Sequence, residues 1–398
     1  MSTKNLYASA KRLDSVNFSP VRKVLEKANA LAKSGKEIIH FEIGEPDFDT
    51  PKAIVDAVTK ALNEDKLTHY GPNRGVLTLR QVISQKLKTE NHYEVSAEDE
   101  ILITVGAGEA IYDSIMGTIN PGDEVIIFTP AFMNYENCIN MAGAKCIKVE
   151  LKEEDSYQID EATVKKAINE KTKMIIMNNP SNPTGTVYNK NSLEIIARLA
   201  QEHNLIVLSD EIYEKLIYSN TPFCSMASLD GMKERTITVN GFSKVYAMTG
   251  WRLGYITADK RFIPSILKVH QYITTCAPTF IQSGLAAGMV TDECKKDVAD
   301  MIQTFKSRRN FVMKQFDSID RLSYVLPEAA FYILINVSQT GLDGDEFATR
   351  LLEEKGVATV PGAGFGECCR NCIRISYATS LENLKAGIEK IKDFVDEL

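Results

Sequence analysis

Short apolar runs alternate with longer amphipathic stretches between residues 100 and 257. Most of these runs are apolar at nearly every position, and they read ILITV, EVIIF, KMIIM, LIVLS, TITVN and LGYIT. Strands of this composition are usually covered on both faces, as they are in parallel sheets. The stretch SLEIIARLAQEH has its apolar residues at helical spacing. The pattern predicts an α/β layered sandwich, with ligands bound where strands end and helices begin.

The segments on either side of this block have a different pattern. The stretch DFDTPKAIVDAVTKALNED predicts a helix with Thr50 as its N-cap and Pro51 in its first turn. From about residue 290 onward, charged helical patterns dominate, and the apolar runs AFYILINV and CIRISYA interrupt them as strands. This part predicts a smaller α+β domain. The chain contains no internal repeat and no low-complexity linker, so we expect the two parts to pack closely.

Composition narrows the class of partner. The 398 residues are 44% hydrophobic and 25% charged, and the net charge of -7 argues against nucleic acid or an anionic membrane as partner. Small-molecule partners are favoured. The N-terminus lacks the apolar stretch of a signal peptide, and no run approaches the roughly 20 apolar residues that span a bilayer, so we expect a cytoplasmic protein.

The 8 cysteines are irregularly spaced, which predicts free thiols rather than a disulfide framework. Only the segment CCRNC clusters them. A single CxxC without a second pair or a nearby histidine is a weak metal signal, so these cysteines are expected to be loop residues. No metal site is predicted.

Two candidate sites lie in turns that follow strands. In LITVGAGEAIYDS a strand runs into Gly106, Ala107 and Gly108 before a helix begins, which leaves free backbone N–H groups where a phosphate is stabilised. The alternative is that these small residues serve only tight packing. In NNPSNPTG, residues 178–185, amides and prolines form a rigid loop, for which simple turn chemistry is the alternative interpretation.

Charged residues follow two further strands. In LIVLSDEIYEKL, Asp210 and Tyr213 follow a buried strand, where a carboxylate is costly unless it meets a cation; a structural salt bridge is the alternative. In NGFSKVYAMTGWRLGY, Lys244 lies between apolar flanks. A buried lysine has a lowered pKa and is a nucleophile for carbonyl groups, and Arg252 could hold a phosphate. A reactive lysine, a phosphate cradle, an arginine and a carboxylate together suit a phosphorylated aldehyde cofactor.

The chain resembles the class I/II aminotransferases, pyridoxal-phosphate enzymes of fold type I, and in particular those similar to aspartate aminotransferase. The resemblance runs from GEPDFDTP near residue 44 to CIRISYAT near residue 375, with five motifs in the same order. It implies a large cofactor-binding domain with a mostly parallel sheet over residues 46–288 and a small domain over 289–398. Residues 1–45 would form an N-terminal arm and part of the small domain.

The resemblance also implies roles in binding pyridoxal phosphate. Lys244 would form the internal aldimine, and Asp210 would keep the ring nitrogen protonated. Tyr213 and Asn182 would hydrogen-bond the ring oxygen beside the aldimine. Phe132, in TPAFMNY, would stack on the ring, although core packing is its alternative role. The phosphate would be held by a set of residues in two segments, namely Gly106, Ala107, Gly108, Ser243 and Arg252.

The substrate roles follow in the same way. Arg374, in CIRISYAT, would clamp the α-carboxylate of the substrate, and the backbone at Gly44 would add a contact, with Phe132 and Asn182 nearby. The freed amine of Lys244 would move a proton from the substrate α-carbon to the cofactor. Tyr70, in HYGPNRG, would reach the cofactor phosphate of a neighbouring subunit. The resemblance therefore implies a homodimer.

Two positions depart from the family pattern. Gly241 replaces a phosphate-binding serine of many relatives, so Ser243 or backbone contacts would take over that role. Gly108 replaces a lysine that one aspartate-using subgroup places against the distal carboxylate, which leaves acidic specificity open.

The function predicted from the resemblance is an aminotransferase that exchanges the amino group between an L-amino acid of the aspartate, alanine or aromatic class and a 2-oxo acid such as 2-oxoglutarate. A pyridoxal-phosphate C–S β-lyase is the alternative on the same scaffold. A cofactor-binding regulator of transcription is disfavoured, because the acidic chain has no spare basic domain.

Overall fold

The structure of the protein is a computed structural model that describes residues 9–398. Its strands are β1 (Ile39–His40), β2 (Ile101–Thr104), β3 (Glu124–Thr129), β4 (Lys145–Glu150), β5 (Thr172–Asn178), β6 (Ile206–Asp210), β7 (Thr236–Gly241), β8 (Gly254–Thr257), β9 (Ser323–Tyr324), β10 (Tyr332–Asn336), β11 (Val357–Ala358), β12 (Val360–Pro361) and β13 (Cys372–Ser376). Its α-helices are α1 (Pro20–Lys33), α2 (Lys52–Asn63), α3 (Leu77–Glu90), α4 (Ala107–Thr118), α5 (Asn134–Met141), α6 (Glu161–Ala167), α7 (Lys190–Glu202), α8 (Ile263–Ile273), α9 (Thr279–Gly288), α10 (Asp292–Phe316), α11 (Gly344–Arg350) and α12 (Leu381–Glu397).

A 7-stranded sheet with the order β2-β8-β7-β6-β5-β3-β4 forms the centre of the molecule. The pairs from β7 through β4 are parallel, and only β8 runs antiparallel to its two neighbours. Strands β3, β6, β7 and β8 are buried at every position, because helices cover both faces of the sheet. The prediction of a mostly parallel α/β sheet is confirmed.

Two features of this sheet were not predicted. Edge strand β4 has mostly exposed or half-buried positions, so it lacks the continuous apolar run by which the other strands were recognised. The antiparallel direction of β8 could not be predicted from its composition either, because a buried run has the same pattern in both directions.

A second sheet, with the order β12-β13-β10-β9, lies in the C-terminal part of the chain. Residues before the large sheet join this part: β1 pairs in parallel with β11, and Phe41 packs in the same core as Phe305, Phe347 and Phe394. Burying these aromatic side chains together holds the chain before α2 against its C-terminal end. The domain boundaries at residues 45 and 288 stay a prediction.

The start of α2 differs from the prediction. Pro51, and not Thr50, is the N-cap residue, and its ψ of 132° is extended. The hydroxyl of Thr50 donates instead to the carbonyl of Ala247, at 2.9 Å. The Thr50 hydroxyl therefore bonds a segment that is distant in the chain instead of capping α2. The local sequence, from which caps are predicted, contains no information about such a contact.

All 8 cysteines are free thiols, as predicted. Within residues 9–398, no helix combines the length and the apolar character needed to cross a bilayer.

Candidate active site

A cavity of about 620 Å³ lies at the carboxyl ends of the central strands. Strands β5, β6 and β7 are parallel, so the residues at and just beyond their ends meet at one edge of the sheet. The cavity lining includes most of the predicted site residues, namely Gly44, Ala107, Gly108, Phe132, Asn182, Asp210, Tyr213, Ser243, Lys244, Arg252 and Arg374. Residues that are far apart in sequence are thus brought to one place.

Lys244 points into this cavity. Its Nζ donates to the carbonyl oxygen of Gly44 at 2.6 Å and lies 5.7 Å from the ring centroid of Phe331. Desolvation, and after it the positive charge of Arg374, lowers the pKa of Lys244 from 10.5 to about 8. The amine is therefore much closer to its neutral, nucleophilic form at physiological pH than an exposed lysine is.

Asp210 ends β6 and is buried. Its Oδ2 accepts a hydrogen bond from the hydroxyl of Tyr135 at 2.7 Å, and its Oδ1 accepts one from the N–H of Ile212 at 3.2 Å. Burial raises the pKa of Asp210 to about 6, and the bond from Tyr135 opposes that rise. The sequence led us to expect a cation against this carboxylate, but its partners are a phenol and a backbone N–H.

Tyr135 is a site residue that the sequence analysis missed. It lies on α5, and its ring packs edge-on against Phe132, with centroids 5.8 Å apart. The spacing of three residues from Phe132 puts both on one face of a helical turn, which is the only signal that the sequence offered.

Tyr213 and Asn182 are held by further contacts. The hydroxyl of Tyr213 lies 3.1 Å from that of Tyr332, a second residue that was missed because it comes from β10 in the C-terminal part. The backbone N–H of Asn182 donates to Oδ1 of Asn178 at 2.8 Å, and the Asn178 amide donates to the carbonyl of Asp210 at 3.0 Å. The loop after β5 is thereby fixed to the end of β6.

The turn before α4 approaches Arg252 closely. Gly106 has a φ of 82°, and a Cβ atom there would lie only 2.4 Å from Nη2 of Arg252. The positive φ favours glycine, and a larger residue would also displace the Arg252 guanidinium. The turn is followed at once by the first residue of α4, Ala107, so the positive end of a helix and a guanidinium face the same space. This arrangement suits an anion.

Arg374 is buried and also lines the cavity. Its Nη1 donates to Oδ1 of Asn182 at 3.0 Å, and its Nη2 donates to the carbonyl of Glu42 at 2.9 Å. The guanidinium stacks on the rings of Tyr332, at 4.4 Å, and Phe365, at 5.0 Å. These contacts fix the planar group, and a fixed guanidinium is well suited to bind a carboxylate.

Gly44 is confined by Tyr332 as well. A Cβ at Gly44 would lie 2.7 Å from the hydroxyl of Tyr332, so no larger side chain fits there without a shift. Tyr70 lies outside the cavity of its own chain, and its side chain is 88% exposed. Among the predicted site residues, Tyr70 is the one that this chain alone does not bring to the site.

The layered fold and a cavity that joins a reactive lysine, a buried carboxylate and fixed arginines define an enzyme site. Residues 36–391 match the family described as aminotransferase class I and II. The chain is 43% identical to the aspartate aminotransferase of Pyrococcus abyssi over 390 residues, which cover 98% of this chain and 99% of that protein. It is 39% identical to aromatic-amino-acid aminotransferase 2 of Thermococcus litoralis over 390 residues, which cover 98% of this chain and 99% of that one.

Comparison with a solved structure also shows similarity to an aminotransferase. The aspartate aminotransferase from Thermus thermophilus with maleate superposes with a TM-score of 0.92 at 35% identity, and the match covers 98% of this chain and 100% of that chain. This chain belongs to the class I and II aminotransferase family. The resemblance and the fold predicted from it are confirmed, and so is the prediction of an aminotransferase. These relatives give no support to the β-lyase alternative.

Proposed function

We propose that this chain uses pyridoxal phosphate to transfer an amino group between an L-amino acid and a 2-oxo acid. The observation that carries the proposal is Lys244, an amine with a pKa of about 8 that opens into a cavity shared with Asp210 and Arg374. The three groups supply a nucleophile for an aldehyde, an acceptor for a ring N–H and a clamp for a carboxylate.

The residues at the cavity fit this cofactor. The turn at Gly106 and the guanidinium of Arg252 would hold its phosphate, together with Ala107, Gly108 and the buried Ser243. Asp210 would accept a hydrogen bond from the ring nitrogen, and Phe132 would lie against the ring. Tyr213 and Asn182 would hydrogen-bond the ring oxygen. When bound, the cofactor supplies an aldehyde carbon and a ring that withdraws electrons from the substrate α-carbon.

Lys244 is the acid–base group of the proposed reaction. In its neutral form Nζ takes the proton from the α-carbon of the bound amino acid, and in its charged form it gives a proton back. A pKa of about 8 makes both forms accessible near neutral pH. The carbonyl of Gly44, 2.6 Å from Nζ, holds the amine in position between these transfers.

Arg374 would orient the substrate. Its Nη1 and Nη2 already donate to Asn182 and to the backbone at Glu42, while its Nε has no hydrogen-bond partner among residues 9–398. A buried donor without a partner favours a carboxylate that supplies one. Binding the α-carboxylate here, close to Gly44, would place the α-carbon on the side of the cavity that holds Lys244.

Among the described residues that line the cavity, no cation is left for a second carboxylate. The cationic side chains that line it within the described part of the chain are Lys244, Arg252 and Arg374, and each has a role above. Near the N-terminus of α1 the lining is uncharged, with Ser19, Val21 and Leu25. Gly108 is the position at which a cation could be added, because a Cβ there would lie 3.7 Å from the Asn134 side chain, an ordinary contact.

We therefore expect aspartate to have no large advantage over phenylalanine or alanine when 2-oxoglutarate is the acceptor. The kcat/KM values across a panel of twenty amino acids measure this, and they test the proposed transfer itself.

A charge-assisted hydrogen bond contributes roughly 1.5 to 3 kcal/mol. Gly108→Lys should then raise the ratio of aspartate to phenylalanine by about ten to a hundredfold. Gly108→Met, similar in length and uncharged, is the matched control.

A ratio of aspartate to phenylalanine above about a thousandfold in the unchanged chain would mean that another cation reaches the substrate. If none of the amino acids in the panel is a substrate, the proposed amino transfer is wrong.

The rate of cofactor capture by the apo-protein should rise with pH through about 8 and then level off. The neutral amine is the reactive form, so lowering the pKa of Lys244 from 10.5 to about 8 makes roughly a tenth of the amine reactive at pH 7. Rapid mixing followed by absorbance measures the rate. Because Arg374 lowers the pKa of Lys244, Arg374→Gln should move the midpoint upward. A midpoint near 10 in the unchanged chain would contradict the assignment.

The assembly and location of the chain belong to the same proposal. We infer a homodimer in which Tyr70 completes the partner's phosphate site, since its side chain is exposed and does not line the cavity of its own chain. Tyr272, 86% exposed, and Ile273, 54% exposed, are further apolar surface that a partner could cover. We also infer a cytoplasmic enzyme with a large domain over 46–288 and a small domain over 289–398 that is joined by part of residues 1–45.

A further inference from the structure

Glu109, Asp113 and His270 form a cluster directly behind the turn that lines the cavity. The spacing of four residues puts Glu109 and Asp113 on one face of α4, and His270 faces them from α8. Nδ1 of His270 lies 3.4 Å from Oε1 of Glu109 and 3.4 Å from Oδ2 of Asp113. One atom from each residue lies within 4.8 Å of the other two.

The cluster leaves buried polar atoms without partners. Asp113 and His270 are 0% exposed, and apart from the two 3.4 Å contacts of Nδ1 neither the carboxylate oxygens of Asp113 nor the ring nitrogens of His270 have a hydrogen-bond partner among the described residues. Glu109 is different, since the hydroxyl of Thr274 and the N–H of Val105 both donate to its carboxylate. Buried polar groups are almost always paired, so these atoms indicate a missing partner.

A simple ion pair does not account for this geometry well. An imidazolium has one hydrogen on Nδ1, and charge-assisted bonds to a carboxylate are about 2.7–2.9 Å long, whereas both contacts here are 3.4 Å. Ligand atoms that lie about 2.1 Å from a tetrahedral metal ion are about 3.4 Å from one another. The two measured separations therefore match the spacing of ligands around an ion.

We propose that Glu109, Asp113 and His270 bind one divalent transition-metal ion. One imidazole nitrogen and two carboxylates suit ions such as Zn²⁺, and two carboxylates with a neutral imidazole balance a charge of two. Thr274 and Val105 orient the carboxylate of Glu109, as outer hydrogen bonds do at metal sites. The ion links α4 to α8 beside Gly108, outside the cavity, so the site stands apart from the proposed amino transfer.

The test is the metal content of the holoenzyme produced in zinc-supplemented medium, measured by mass spectrometry after gel filtration. We expect about one equivalent of Zn²⁺ per chain, and less than about a tenth of that in Asp113→Asn and in His270→Gln. His203→Gln, at an exposed histidine, is the matched control and should keep the full content. Zinc held by the bound cofactor would be the same in the unchanged chain and in every variant, so it does not affect the comparison between them.

The variants must be folded for the comparison to count. Circular dichroism and the melting temperature establish this, and the isosteric Asp113→Asn decides the matter if His270→Gln does not fold. Less than about a tenth of an equivalent in the unchanged chain, or equal contents in the unchanged chain and Asp113→Asn, would show that the cluster is only an ion pair. The measurement does not use activity, so failure of the proposed function would leave its result intact.

Discussion

Replacing Lys244 by alanine is expected to lower kcat by at least about 10⁴-fold. General acid–base catalysis alone contributes up to about 10⁴-fold, and the variant loses the nucleophile as well. The cavity contains no second lysine within the described residues that could take over, since Lys244 is the only lysine in its lining. Steady-state rates with saturating amino acid and 2-oxoglutarate measure the effect.

The control for this variant is Lys260→Ala, which removes an exposed lysine beyond β8 and should leave kcat within about twofold. The Lys244→Ala protein should still bind pyridoxal phosphate, because the anion cradle at Gly106 and Arg252 is unchanged. Its absorbance spectrum after gel filtration shows whether it does. A variant that keeps more than a hundredth of the original kcat would mean that another group moves the proton.

Replacing Arg374 by lysine should lower kcat/KM by about 10² to 10³-fold, mainly through KM for both the amino acid and the 2-oxo acid. Lysine keeps the charge but lacks the planar fork. It also gives up the stacking on Tyr332 and Phe365, and it would leave the carbonyl of Glu42 or the amide of Asn182 without a donor. Truncating a buried charged group that binds a partner costs roughly 2 to 5 kcal/mol, which includes this range.

The absorbance of the bound cofactor separates substrate binding from cofactor binding in this variant. Arg374 is not one of the residues assigned to the cofactor phosphate, so the cofactor content should not change. Arg370→Lys is the matched control, because Arg370 is an exposed arginine just before the same strand. An unchanged KM in Arg374→Lys would place the carboxylate clamp elsewhere.

Much of the fold could be predicted from local pattern alone. The runs KMIIM and LIVLS became β5 and β6 because strands buried on both faces must be apolar at nearly every position. Their order along the chain, with helices between them, leaves few topologies other than a largely parallel sheet. A special role was predicted for Lys244 for a related reason, since a lysine between apolar flanks is costly to bury without one, and that role stays a prediction.

The sequence also located Asp210, Asn182 and Ser243 at strand ends, and it placed Arg374 in an apolar run. What it could not supply was the partner of each side chain. Tyr135 reaches Asp210 across 75 residues of chain, and Tyr332 reaches Tyr213 across 119. Each of these contacts depends on the packing of whole elements, which a local pattern does not encode.

The strongest examples are the cluster of Glu109, Asp113 and His270 and the hydroxyl of Thr50. By sequence, the two acidic residues are ordinary positions of a helix, and the histidine lies about 160 residues away on another. Only the packing of α4 on α8 makes them neighbours and removes them from water. Local periodicity thus determined which residues are buried and which elements they form, whereas the tertiary structure decided which polar groups meet, because a hydrogen bond or a metal site depends on distances of a few ångströms between segments that are remote in the chain.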